Sequence, residues 1–393
     1  MHKLAFIATS YIRKYDGVSV YSENLLQQLL YQIDNIKREI KLDIFVREDS
    51  YDLLKERIII PKEINRYANI NFISVSGKSY PTRLLKLTAM LYKRGKYDLV
   101  YMPNPMPVIF TPGKKMKTIH DFSFKIAPEY YSTFEKIYSD FLRKIAIKFD
   151  DAIGYISQST KKDFERFYGI TDKDKTFIYL PNGIPFKVQK QERPSKEDFE
   201  KKFTQKKLKI LIVGRINRHK GFDRVLRFVK YLDSISKEDK QFENIQIHIV
   251  GKKTKETDEL LNDYKPQNVQ LNFPGFISDE ELNVLYKTSH FCFFLSRNEG
   301  YGLPLVESLW LKTIPVLSNI PIFREIMEED YPLFEDKNLE ENIYKFIKNI
   351  FNEKDYREKI YNHIEKVVKK EKKGYEIAAK NLLNYIGYTR NEK

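Results

Sequence analysis

Short runs rich in β-branched and aromatic residues alternate along this chain with longer segments in which apolar positions recur every three or four residues. A short apolar run suits a strand covered on both faces, and an amphipathic helix suits the cover, so the alternation predicts βαβ units and parallel sheets. In the first half the predicted strands lie near residues 4–8, 42–46, 99–102, 117–119 and 152–156; in the second they lie near 209–213, 245–250, 269–273, 291–295 and 314–317. Each half is expected to form its own doubly wound, Rossmann-like sheet. Between the halves, Leu180-Pro181-Asn182-Gly183-Ile184-Pro185 interrupts the pattern with two prolines and an Asn-Gly pair, just ahead of the charged stretch 187–207. The expected domains are therefore 1–183 and 184–374. After Tyr331 the pattern becomes helical and strongly charged, and it ends in a patterned segment from about residue 375.

Composition narrows the class. A chain of 393 residues, 42% hydrophobic and 31% charged, with 27 Tyr and 27 Phe, can fill two cores, which excludes both a single small module and a disordered chain. Its one cysteine, Cys292, sits in the apolar run 291–295, so neither a disulfide framework nor a cysteine-based zinc site can form, and a reducing compartment fits best. No run reaches the roughly 18 apolar residues of a membrane span, and the 4–8 run is too short for a signal-peptide core. The expected location is cytoplasmic.

The net charge of +15 points to an anionic partner, and its distribution is uneven. Residues 1–190 hold 32 basic and 21 acidic groups, and within 71–120 nine cations face Asp98 alone. Segment 81–96 combines Leu84, Leu85, Leu87, Met90 and Leu91 with five cations. Residues 78–96 and 114–117 are thus a candidate contact with an anionic membrane surface, peripheral on its cytoplasmic face. The equal alternative is a helix that turns its apolar side to its own core. No nucleic-acid motif accompanies the charge, so nucleic acid is not an expected partner.

Ligands of open parallel sheets bind beyond the carboxyl ends of the strands, which directs attention to the loops. After the 291–295 strand comes Ser296-Arg297-Asn298-Glu299-Gly300-Tyr301-Gly302-Leu303-Pro304-Leu305-Val306-Glu307. Gly300 and Gly302 permit close backbone approach, and Pro304 suits the first turn of a helix carrying Glu307. Free N–H groups around Gly302 to Leu305 would cradle a diphosphate, while Glu299 and Glu307 would be tolerated there if they bind neutral hydroxyls of sugar and ribose. After the 209–213 strand comes Gly214-Arg215-Ile216-Asn217-Arg218-His219-Lys220-Gly221. Arg215 and Lys220, bracketed by glycines, suit a pair closing on a pyrophosphate, with Arg218 and His219 as rivals. The loop is not a Walker loop, since Gly-x4-Gly-Lys-[Ser/Thr] is absent.

The run from Asn298 to Glu307 resembles the Glu-x7-Glu motif of family 4 glycosyltransferases, which are retaining, nucleotide-sugar-dependent enzymes. Other segments resemble the family in order and spacing: Asp16-Gly17-Val18 with Tyr21, Thr118-Ile119-His120-Asp121 with Pro128-Glu129-Tyr130-Tyr131, segment 156–163, Pro181-Asn182-Gly183-Ile184, Gly214-Arg215 with Lys220-Gly221, and Phe273-Pro274-Gly275-Phe276. The resemblance runs from about residue 4 to about 330. It implies the GT-B fold, two Rossmann-like parallel-sheet domains facing across a cleft, the first for acceptor and the second for donor. It also implies that the terminal helix, 375–393, packs back on the first domain.

By the same resemblance, Glu307 would bind the donor ribose, Glu299 the transferred sugar, and Arg215 and Lys220 the departing diphosphate. Gly214, Gly275, Phe276, Gly300, Tyr301, Gly302, Leu303 and Pro304 would line the donor site, with backbone contacts to the base near Gly275 and Phe276. Gly17 would let backbone approach phosphate or acceptor, although Asp16-Gly17 stands where the family often has Gly-Gly. His120 would reach the donor sugar and Asp121 the acceptor. The implied reaction proceeds with retention by same-face attack, without a protein nucleophile; no DxD-like pair or histidine cluster offers a metal site, and no cofactor is expected. The His-Asp and Pro-Glu-Tyr-Tyr stretches most resemble bacterial mannosyl- and rhamnosyltransferases of surface polysaccharides, which favours mannose from a nucleotide-diphosphate donor, while the basic amphipathic segment 81–96 on the acceptor side suggests a lipid-linked saccharide acceptor. The rival readings are a soluble transferase or nucleotide-sugar epimerase on the same scaffold, or a basic binding protein with a vestigial cleft.

Overall fold

A computed structural model describes residues 1–11, 16–236, 239, 241–242, 244–262 and 264–388. The chain divides into two compact units, one of Met1–Gly183 together with the chain from Lys373 onward, the other of Ile184–Lys372. Of the terminal segment 375–393, residues 389–393 lie outside the described residues.

The first unit is built on seven parallel strands, β1 (His2–Ala8), β2 (Ile40–Arg47), β3 (Ala68–Val75), β4 (Tyr97–Met102), β5 (Gly113–Ile119), β6 (Ala152–Tyr155) and β7 (Thr176–Tyr179), in the order β3-β2-β1-β4-β5-β6-β7. The second has six, β8 (Lys207–Val213), β9 (Asn244–Val250), β10 (Val269–Gly275), β11 (Phe291–Phe294), β12 (Ile314–Ser318) and β13 (Leu333–Phe334), in the order β10-β9-β8-β11-β12-β13. Every pairing is parallel, with helices between successive strands except β4 and β5. In each sheet the winding reverses once, between β1 and β4 and between β8 and β11. Such reversals open a crevice at the carboxyl ends of the strands.

Three strands, β3, β7 and β13, fall outside the expected set, and each is terminal in its sheet. β3 reads Ala-Asn-Ile-Asn-Phe-Ile-Ser-Val because an edge strand meets water along one side, and the amide of Asn71 donates to Asp43 at 2.9 Å.

The basic segment resolves into a helix, Tyr80–Lys93, opened by a Ser79–Thr82 capping box. Its Leu87 and Leu91 are buried beside Val75, Tyr97 and Val100, with Leu84 and Met90 packed on the same cluster. The core-facing alternative therefore holds for its apolar side, and Leu85 alone of the five is turned outward, 73% exposed. Lys117 also leaves the surface patch: it is fully buried, its Nζ 2.7 Å from Asp150 Oδ1 and donating to the Val108 carbonyl at 3.0 Å. Desolvation lowers the Lys117 pKa and pushes Asp150 up to about 6.

The terminal helix, Gly374–Tyr385, lies against the Gly17–Ile36 helix. Glycine is required at 374, because a Cβ there would stand 1.7 Å from the Asn182 carbonyl oxygen. Asn381 donates to the Tyr179 carbonyl at 2.8 Å, and Tyr388 to that of Arg38 at 2.6 Å.

Candidate functional site

The winding reversal of the second unit brings its two loaded loops together. Asn217 Oδ1 accepts the Lys220 N–H at 2.9 Å and shapes the loop after β8, while the Arg297 N–H donates to the His219 carbonyl at 3.1 Å. Arg297 then grips Asp223 through two bonds of 2.8 and 2.6 Å, holding that carboxyl below the usual range against desolvation. Between these ties sits Gly221, at φ +74°, where a Cβ would meet the Leu295 carbonyl oxygen at 1.9 Å. Only glycine allows the two loops to press together.

That closeness creates the central contact. Lys220 Nζ lies 2.7 Å from Glu299 Oε2, and Ser296 Oγ donates to Glu299 Oε1 at 2.8 Å. An ammonium has three protons, so two remain for phosphate oxygens after the bond to Glu299. Glu299 keeps spare lone pairs on both oxygens for hydroxyl donors. Arg215 is exposed on the same loop and makes no ion pair among the described residues. The rival Arg218 is committed elsewhere, with Nε 3.2 Å from Glu256.

The helix after this loop spans Leu303–Trp310, with Gly302 as its N-cap at φ +99°. The donors at its mouth are fewer than the sequence implied: Pro304 has no N–H, and the Leu305 N–H is spent on the Gly302 carbonyl at 3.0 Å. Gly302 and Leu303 remain. Tyr301 is buried with its hydroxyl bonded to Glu371, so its side chain braces the loop and only its backbone, with that of Gly300, can meet a ligand. Glu307 projects one turn in and accepts the Tyr286 hydroxyl at 3.3 Å. Burial raises its pKa; Lys187, ion-paired with Asp279, and the Tyr286 bond oppose the rise.

A further feature was missed by reading single motifs. Three adjacent strands run into glycines of positive φ, Gly214 (+128°) just past β8, Gly251 (+143°) just past β9 and Gly275 (+76°) at the end of β10. The Gly214 N–H donates to the Val250 carbonyl at 3.0 Å and the Gly251 N–H to that of Gly275 at 2.9 Å, and a Cβ on Gly251 would meet the Gly214 oxygen at 1.9 Å. The result is a bare backbone crest, open above Gly214 and Gly275, beside Phe276, which is 81% exposed. The signal was present as a repeat, Ile212-Val213-Gly214 and Ile249-Val250-Gly251, at the ends of neighbouring strands.

The first unit gathers different groups at its own reversal. His120, just past β5, bonds through Nε2 to the Pro103 carbonyl at 2.7 Å, after β4. A carbonyl only accepts, so Nε2 carries the proton and Nδ1 is the acceptor. Burial lowers the His120 pKa and keeps the ring neutral. The Tyr21 ring meets it edge-on at 4.8 Å, and Tyr21, Tyr101 and Thr118 join their hydroxyls at 3.1 and 2.7 Å. Asp121 caps the next turn by accepting the Ser123 N–H at 3.0 Å, and its carbonyl takes a bond from buried Arg143 at 2.9 Å. Gly17 begins its helix one residue after Asp16, which accepts the Ser19 N–H at 2.8 Å; the space a Cβ would enter at Gly17 is open.

Comparison with known proteins agrees with this geometry. Residues 194–367, a little under half the chain, match the family model described as glycosyl transferases group 1. The serotype-specific mannosyltransferase WbdA of Escherichia coli is 34% identical over 122 residues, 30% of this chain and 14% of that one. The O-antigen chain mannosyltransferase RfbU of Salmonella typhimurium is 24% identical over 238 residues, 59% of this chain and 60% of that one. The matches thus span less than two thirds of either relative. Among solved structures, the sucrose-phosphate synthase of Thermosynechococcus elongatus superposes with a TM-score of 0.69 at 17% identity, over 98% of both chains, a likeness of fold. The two parallel-sheet α/β units have the GT-B fold, and residues 194–367 are a glycosyl transferases group 1 domain.

Proposed function

We propose that this protein is a retaining glycosyltransferase that moves a sugar, with mannose favoured, from a nucleoside-diphosphate donor to a saccharide carried on a lipid, in the assembly of a surface polysaccharide. The observation that carries the reading is the Lys220–Glu299 contact at the winding reversal of the second unit, beside the Gly302 end of the Leu303–Trp310 helix. Breaking a glycosyl–phosphate bond builds negative charge on the diphosphate and positive charge on the sugar ring. Lys220 and Arg215, with the N–H groups of Gly302 and Leu303, would take up the first charge without reorganising. Glu299 would hold sugar hydroxyls next to the bond that breaks, and Glu307 the ribose. The crest at Gly214 and Gly275 would admit the nucleotide closely, with Phe276 beside the base.

In the first unit, neutral His120 offers an acceptor atom to a hydroxyl rather than a charge to a phosphate. Same-face attack by the acceptor, its proton passing to a donor phosphate oxygen, would retain the anomeric configuration. The mannose and surface-polysaccharide elements are supported by what WbdA and RfbU are named for.

The test is a thermal-shift screen with GDP, UDP, dTDP, ADP and CMP and their sugar conjugates. A ligand at 100 times its Kd stabilises the native state by about 2.7 kcal/mol. The expected result is a shift with GDP and GDP-mannose that Glu307→Ala abolishes. A shift with another nucleotide alone replaces mannose and keeps the donor site; no shift with any of them overturns the reading.

A further inference from the structure

We infer that the Thr133–Phe149 helix of the first unit docks the protein on the surface of an anionic lipid bilayer. This deepens the reading of a lipid-carried acceptor. The helix starts at a Ser132–Glu135 capping box and packs through Leu142, Arg143, Ile145 and Ala146. Its other side carries Phe134, Ile137, Phe141, Lys144 and Lys148, spaced three and four residues apart in turn, so the five form one stripe. The first three are 75%, 65% and 51% exposed, unusual for large apolar side chains placed side by side, and the Phe134 and Tyr138 rings stack at 5.9 Å. An open groove of about 610 Å³ adjoins the stripe, bounded by Ile137, Phe141 and Lys136 on one side and by Phe124 and Lys125 on the other.

Charge identifies the occupant. The helix has two acids, one held by a capping box and one neutralised by lysines. Glu135 is held in the capping box by the Ser132 N–H at 2.8 Å. Asp140 sits between Lys125 and Lys144, at 2.6 and 2.7 Å, and also accepts the Tyr168 hydroxyl at 2.7 Å. Lys136 and Lys148 form no ion pair among the described residues, and the stripe belongs to the half of the sequence that holds most of the excess positive charge. Apolar side chains at one end of a stripe and cations at the other match the acyl boundary and headgroup layer of an anionic membrane. Among the described residues, no helix is long and apolar enough to cross a membrane. The helix that carries this surface is not the basic Tyr80–Lys93 helix, whose apolar side is core.

The test is flotation of the full-length protein with vesicles of phosphatidylcholine alone or mixed with phosphatidylglycerol, which requires neither donor nor acceptor and so is separate from turnover. The protein should float with the mixed vesicles and at least tenfold less with the neutral ones. The variant Phe134→Ser, Ile137→Ser, Phe141→Ser should lose at least tenfold in partitioning while keeping its circular dichroism and its nucleotide-induced thermal shift. Lys136→Glu with Lys148→Glu should lose at least tenfold on anionic vesicles. Lys86→Glu with Lys93→Glu, on the Tyr80–Lys93 helix, should lose less. Equal flotation of the apolar-stripe variant and the unaltered protein would overturn the proposal. So would a dimer in sedimentation velocity that this variant converts to monomer, since the stripe would then be covered by a second copy.

Discussion

The two sheets reverse their winding in the same way, yet the groups at the two reversals differ in kind. In the second unit the reversal holds a fixed ammonium–carboxylate contact, a free guanidinium and a crest of glycines. In the first, among the described residues, it holds a neutral imidazole, a tyrosine ring and a chain of hydroxyls, with Asp16, Asp121 and the buried Arg143 around them. A charged crevice with bare backbone suits a diphosphate, whose oxygens need many short bonds. A neutral ring nitrogen and a row of hydroxyls suit hydroxyl groups, which both give and accept a proton and need no counter-charge. The shared topology explains where each crevice lies; the side chains explain which chemical groups each suits.

The difference can be broken at several points. The largest effect is expected from Lys220→Ala, which in the proposed reaction removes a fixed cation from the leaving group and should lower kcat about 100- to 1000-fold. Steady-state kinetics at saturating donor checks it, and a change confined to KM would make Lys220 a binding group only. Next, Gly221→Ala places a Cβ 1.9 Å from the Leu295 oxygen at a positive φ, and should cost on the order of 2–4 kcal/mol in urea unfolding.

A smaller effect concerns pH. Burial pushes His290 in the second unit down to about 4, where its Nδ1 accepts the Lys209 N–H at 2.9 Å and its Nε2 donates to the Lys202 carbonyl at 2.6 Å. The folded state then binds fewer protons than the unfolded one, whose histidines titrate near 6.5. Stability from this residue is complete above 6.5 and is lost as pH falls toward about 4, amounting to about 2 kcal/mol between pH 7 and pH 5. His120 in the first unit contributes with the same sign. Replacing His290 with Gln should flatten the dependence in guanidinium melts at the two pH values. The smallest effect sharpens the contrast between glycines: Gly17→Ala meets open space and should change stability by less than about 0.5 kcal/mol. Any loss of turnover it causes would then report crowding of a ligand rather than strain in the fold.

Much of the architecture was legible because buried strands of a parallel sheet must be apolar on both faces. All ten expected strands are present; of the three outside the expected set, β3 alternates polar positions as an edge allows, β13 is only two residues long, and β7 is a short terminal strand. The loop chemistry was legible in part. Glu299, Arg215 and Lys220 stood out as charged residues next to glycines, whereas Tyr286, which holds Glu307, and Ser296, which holds Glu299, look ordinary in sequence. Charge runs were the least informative: Lys117 belongs to a cluster of lysines in sequence but is buried against Asp150, and the leucines of the Tyr80–Lys93 helix turn inward.

Order along the chain determined the alternation of strands and helices, and with it the existence of two parallel sheets and the loops that end at their carboxyl edges. Those features follow from local periodicity and from which residues can tolerate a turn. The tertiary structure decided which charges are paired, which donors at Gly302 and Leu303 remain free, and which of two amphipathic helices keeps its apolar stripe outside. Each of these depends on what another segment, distant in sequence, brings within about 3 Å, the distance at which a hydrogen bond forms and at which desolvation begins to set the charge of a group.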